Sequence, residues 1–148
     1  MGARLSNRMS VEQYRALTKE PKYRNTKCDW QGNKFDSALE RDRFIILDAD
    51  QREGKISDLR RQVKFVLIPS QKVEGKLIER ECSYIADFVY MVQGQMVVED
   101  TKSKATRTPE YIIKRKLMLY VHGIIIHEIE RENLNEQAYA GRGPEGRG

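Results

Sequence analysis

The chain has 148 residues, 39% apolar and 33% charged, with a net charge of +5 and a pI near 9.2. That length suits one domain able to bury a core, and the composition excludes collagenous, wholly disordered and membrane-spanning classes. No apolar run is long enough for a bilayer and the first ten residues lack a secretory stretch, so a cytoplasmic protein with no membrane partner is expected.

Ser10-Val-Glu-Gln13 has the form of a helix-capping box and predicts a short helix from Val11 to about Lys19, stopped by Pro21. Residues 1–34 then read as a basic arm, with a turn-rich stretch from Tyr23 to Lys34 suited to a small hairpin or an extended lead-in. Cys28 in that stretch and the distant Cys82 lack CxxC spacing, so both are expected to be free thiols. The folded core is expected over 35–131. It opens with a helix from Phe35 to about Leu47 or Asp50, in which Leu39, Arg43 and Leu47 share a side.

Val63–Ile68 reads as a strand ended by Pro69, and Ser83–Val92 and Gln95–Thr101 as two more joined across Gln93-Gly94. Thr108-Pro109 starts a helix that runs to about Val121 and is closed by Gly123. Ile124–Ile129 completes the set as a strand apolar on both faces. Helix, three strands, helix, strand argues an α/β fold with a mixed central sheet flanked by helices. Residues 132–148, rich in Gly and charge, are expected to form a flexible tail.

The charges are unevenly placed. Residues 1–34 carry eight Lys or Arg against three acids and residues 102–116 six against one, while the acids gather between Asp36 and Asp100. A basic frame around an acidic centre suits phosphate binding beside a cation site, and equally a solvated surface.

The hairpin carries the most chemistry. A turn centred on Gln93-Gly94 sets Val92 opposite Gln95 and, continuing in register, Asp87 opposite Asp100. Opposed side chains on paired strands have Cβ atoms about 4.5–5.5 Å apart, and like charges so placed destabilise unless a cation bridges them. Alternation adds Lys102 to the face of Asp100 and turns Glu99 away. Val89, Met91, Met96 and Val98 on that face argue for burial. Two carboxylates and a lysine can polarise a phosphodiester through a bound cation and stabilise developing charge.

An aspartate on one strand and Asp100-Thr101-Lys102 on the next resemble the D…(D/E)-X-K signature of the PD-(D/E)XK nuclease superfamily. The pattern Phe35-Asp-Ser37 with Glu40, Gln62, Tyr84-x-Ala-Asp-Phe88 and Val98-Glu-Asp-x-Lys102, spanning roughly residues 20–130, is similar to small phage and prophage members labelled Holliday junction resolvase-like. The resemblance implies a restriction-endonuclease-like αβββαβ core and a phage or prophage protein acting in a bacterial host. It further implies Mg²⁺ or Mn²⁺ held by Glu40, Asp87, Asp100 and the Thr101 carbonyl, with Lys102 as the catalytic lysine. The implied partner is DNA, branched or duplex, cut by a homodimer where two cuts are needed.

Several residues keep two readings. Glu40 is a ligand by resemblance and the N3 member of a capping box with Ser37 by sequence, and the two do not exclude each other. Lys104, Lys114 and Lys116 could hold DNA phosphates or form a solvated face. Gln62 could support the metal site or pair with backbone, and His122 and His127 read as packing or surface residues. A catalytically silent DNA-binding or recombination accessory protein with the same fold is the rival function.

Overall fold

The computed structural model describes residues 27–138. The helix expected over 11–19 lies outside them. The described chain opens with a small antiparallel hairpin, β1 (Cys28–Trp30) and β2 (Asn33–Phe35), followed by α1 (Ala38–Arg52). The long strand β3 (Ser57–Ile68) leads into a second small hairpin, β4 (Gln71–Val73) and β5 (Lys76–Glu79). Then come β6 (Cys82–Val92), β7 (Gln95–Thr101), α2 (Pro109–His122) and β8 (His127–Ile129). Cys28 and Cys82 are half-buried and not joined in a disulfide.

Four strands form the central sheet in the order β3-β6-β7-β8, the first three antiparallel and β8 parallel to β7. The architecture is therefore α/β with a mixed central sheet and two helices, as the element order predicts. The parallel pairing follows from α2, which carries the chain back over the sheet before β8 begins.

Both helices obey their local signals. Ser37 Oγ accepts from the Glu40 amide at 3.1 Å, and Thr108 Oγ1 accepts from the Tyr111 amide at 3.2 Å with Pro109 behind it. Gly123 closes α2 in the left-handed conformation, φ 67°, where a Cβ would be strained.

The core has two parts. Val89 and Val98 pair across β6 and β7 and pack with Leu67, Tyr84, Ala86, Tyr111, Met118 and Ile126. The next pair, Tyr90 and Val97, packs instead with Leu47, Ile56 and Phe88. Adjacent residues of a strand point to opposite faces, so α1 and α2 cover opposite sides of the sheet.

The sequence misplaces or misses four features. The first core strand begins at Ser57 rather than Val63, because its first half, Ser57-Asp-Leu-Arg-Arg-Gln62, is polar and gives no apolar run. The final strand is confined to His127–Ile129, with Ile125 61% exposed ahead of it. The β4–β5 hairpin was not anticipated from its charged sequence. Residues 132–138, assigned to the tail by composition, are held to the core: the Leu134 carbonyl accepts from Arg43 Nη1 at 2.7 Å, and Ala138 packs against the α1-side cluster.

Candidate active site

Hairpin register decides where the carboxylates fall. Gln93 and Gly94 both take positive φ, 48° and 77°, the two-residue turn whose twist matches paired strands. Pairing then runs from Val92 opposite Gln95 to Phe88 opposite Glu99, the register expected from the sequence, and ends one position short of Asp87 and Asp100. Burial on that face is uneven. Val89 and Val98 are buried, whereas Met96 is 43% exposed near the turn, contrary to expectation.

Asp87 sits where the sheet changes side. Tyr84 and Ala86 pack with Val89 in the α2-side cluster, yet Phe88 packs with Tyr90 on the α1 side. Strict alternation would place Tyr84, Ala86, Phe88 and Tyr90 together. Opposite this irregularity Gln62 adopts φ 52° between the pairs Arg61–Phe88 and Val63–Ala86. A left-handed non-glycine residue inside a strand is uncommon, and this strand has two, Asp58 near its start and Gln62 beside the carboxylates.

The kink lets Gln62 reach two carboxylates at once. Its Nε2 donates to Glu40 Oε1 at 3.1 Å and to Asp87 Oδ1 at 3.2 Å. The other Asp87 oxygen accepts from the Thr101 amide at 2.9 Å and the Thr101 hydroxyl at 2.7 Å. Thr101, expected to serve through its carbonyl, thus aims Asp87 through its amide and side chain.

Glu40 takes part in the helix cap and also faces the cavity. Its amide is capped by Ser37, its Oε2 accepts from the Asp36 amide at 3.3 Å, and its Oε1 turns to Gln62 and lies 3.6 Å from Arg61 Nη2. The capping box is displaced by one residue, to Asp36 in place of Ser37. Burial, and next the Asp87 charge, raise the Glu40 pKa above the usual carboxylate value.

Asp100 is more strongly perturbed. It is 3% exposed. Burial first and the Asp87 charge second push its pKa up to about 8, while Lys102 opposes the shift. A buried carboxylate whose ionisation is opposed by a neighbouring carboxylate is a place where a cation is favoured. Lys102 Nζ stands 2.8 Å from Asp100 Oδ2 and 4.0 Å from the centre of the Tyr111 ring, so an aromatic face and a carboxylate hold the ammonium between them.

These groups open on one cavity of about 500 Å³, lined among others by Glu40, Tyr84, Asp87, Asp100, Lys102 and Lys114. Lys114 pairs with Glu110 at 3.0 Å one turn away. Lys104 is exposed and lines an adjoining cavity with Lys102 and Arg131. Lys116 is exposed and lines neither. His122 Nε2 meets the Val66 carbonyl at 2.7 Å, a packing role as expected.

Among the described residues no three His, Cys, Asp or Glu side chains form a ready cation cage. Magnesium does not require one, since it usually keeps several waters and takes one or two carboxylates with substrate phosphates. The hard oxygens of Asp87, Asp100 and Glu40 suit such a cation, and a cation shared by Asp87 and Asp100 would offset the repulsion between them.

Sequence reasoning missed Arg61, Tyr84 and Tyr111 as neighbours of the site. Arg61 lies over the Phe35 ring at 3.9 Å and donates to the Lys34 carbonyl at 2.7 Å, which ties the β1–β2 hairpin beside Glu40. The doublet Arg60-Arg61 before Gln62 was the available signal.

No described helix is long and apolar enough to cross a membrane. A family model described as Protein of unknown function (DUF1064) matches residues 20–130. No curated protein and no solved structure matches the chain.

Proposed function

We propose that this chain, which belongs to the family described as Protein of unknown function (DUF1064), is a metal-dependent DNA endonuclease with a restriction-endonuclease-like core. The observation that carries the reading is the convergence of Asp87 and Asp100 on one cavity wall with Lys102 against Asp100. The succession α1, β3, β6, β7, α2, β8, leaving aside the two small hairpins, supports it, because it follows the αβββαβ order expected of such nucleases.

Asp87 and Asp100 hold a Mg²⁺ or Mn²⁺ ion, with Glu40 as a further carboxylate on the same cavity. When bound, the cation polarises the phosphodiester and lowers the pKa of water. Gln62 and Thr101 fix the direction of Asp87, and Tyr111 and Asp100 fix the Lys102 ammonium. From there Lys102 stabilises negative charge developing on the phosphate oxygens. Lys114 at the cavity edge and Lys104 beside it hold flanking phosphates.

Branched recombination DNA is the proposed substrate and a homodimer the proposed cutting unit, since a four-way junction needs two matched cuts. The test incubates the full chain with a labelled four-way junction, a flap and a linear duplex, in Mg²⁺, Mn²⁺ or EDTA. Cutting that needs the metal and is lost in Asp100→Ala supports the reading. Binding of DNA with no cutting in either metal replaces it with a silent accessory role, and cutting undiminished in EDTA overturns the metal mechanism.

A further inference from the structure

Tyr84 stands among the carboxylates without a task in the chemistry above. It lies on β6 three residues before Asp87, and strict alternation would turn the two to opposite sides. The irregularity at Asp87 instead lets both line one cavity with Asp100 and Lys102. Tyr84 is 4% exposed, and its buried hydroxyl makes no hydrogen bond of good geometry, although the Asp100 carboxylate lies close enough to act on it as a side-chain acceptor. Burial, and after it the Asp100 charge, push the phenol's ionisation far above the ordinary range, so the group remains a neutral donor.

A buried donor left poorly paired is costly, and proteins retain few of them. Of the acceptors near Tyr84, both Asp87 oxygens face Gln62 or Thr101, and Asp100 turns its Oδ2 to Lys102. Asp100 is the acceptor that can reorient, because a divalent cation competes with the Lys102 ammonium for the same carboxylate. Once Asp100 turns from Lys102, the hydroxyl beside it gains a well-aligned partner, and a carboxylate held on one oxygen presents the other in a fixed direction.

We propose that Tyr84 is a positioning residue for Asp100, its O–H donating to the carboxylate when Asp100 turns from Lys102 toward a divalent cation. The inference rests on the metal-centre reading above. Its rival is simple packing, since the Tyr84 ring lies 6.4 Å from that of Tyr111 within the α2-side core.

Tyr84→Phe separates the two, because it keeps the ring and removes the hydroxyl alone. The full chain and this variant are compared by thermal unfolding without metal and by calorimetric titration with Mn²⁺. The expected result is a metal-free midpoint that is unchanged or raised, as no more than a poorly aligned hydrogen bond is deleted, with Mn²⁺ affinity reduced about tenfold. A lower midpoint with unchanged Mn²⁺ affinity shows packing alone and overturns the inference, as does a variant equal to the parent in both. Absence of Mn²⁺ binding by the parent overturns the metal-centre reading together with the inference, whereas equal binding by parent and variant overturns only the inference.

Discussion

Arg43 of α1 and Glu99 of β7 close on each other inside the protein, Nε to Oε2 at 2.8 Å, with side chains 1% and 0% exposed. The Tyr90 hydroxyl donates to the same carboxylate, and Arg43 Nη1 donates to the Leu134 carbonyl. The pair lies one turn after Glu40 and one residue before Asp100. It therefore joins the two elements that bring those carboxylates to one cavity.

Breaking that pair from one side leaves a buried charge without its partner, which costs about 3–5 kcal/mol. Arg43→Met and Glu99→Leu singly should each unfold far more readily in urea than the parent, while the double variant should be more stable than either single. Additive losses in the double variant would show that the pair is not energetically coupled.

The raised pKa of Asp100 gives stability a direction with pH. Folded Asp100 keeps its proton to about pH 8, whereas the unfolded residue releases it near 3.8. Between those values the folded state binds more protons, so this contribution is fully present below about 3.8 and is lost as pH rises through about 8. Glu40, also raised, acts in the same sense. Metal-free unfolding measured from pH 5 to 9 should show stability from this site falling with pH, and Asp100→Asn should flatten the trend. A parent and variant with parallel profiles would contradict the assignment.

Cation uptake should show the opposite trend. A cation needs ionised Asp100, so each binding event below about pH 8 displaces about one proton and apparent Mn²⁺ affinity should rise about tenfold per pH unit. Calorimetry in buffers of different ionisation enthalpy measures the released proton directly, and no release at pH 6.5 would count against the site.

Gln62 joins Glu40 to Asp87 by one amide. Gln62→Ala should weaken Mn²⁺ binding about tenfold, as loss of an orienting partner does, with little change in the metal-free melting midpoint because the residue is exposed. Unchanged Mn²⁺ affinity would reduce Gln62 to a surface residue with an unusual backbone.

Lys102→Met should lower cleavage at saturating Mn²⁺ by about 10²–10³-fold through loss of charge stabilisation, while Mn²⁺ affinity holds or rises because Asp100 loses its competing ammonium. Lys102→Arg should not restore the rate, since a planar guanidinium cannot repeat a point charge fitted against the Tyr111 ring. Full activity in either variant would remove Lys102 from the chemistry.

Much of the fold was legible because local signals and apolar pattern agree. Ser37, Thr108, Pro109 and Gly123 set helix ends by their own hydrogen bonds or backbone preferences, and Gln93-Gly94 fixed the β6–β7 register from which Asp87 and Asp100 meet. The β4–β5 hairpin escaped because Glu74-Gly75 turns with φ 50° and 79° between short exposed strands that bury nothing, leaving no alternation to recognise.

By itself the sequence determined the two helices, the four central strands in outline, and the placing of Asp87, Asp100 and Lys102 together, since period-two alternation and turn chemistry act over a few residues. Only the tertiary structure decided that Gln62 bridges Glu40 and Asp87, that Arg43 closes on Glu99, and that Tyr84 reaches the cavity of Asp100. Those relationships depend on how α1 packs against the sheet and on an irregularity shared by β3 and β6. Contacts between elements distant in sequence are set by packing, and no spacing along the chain records them.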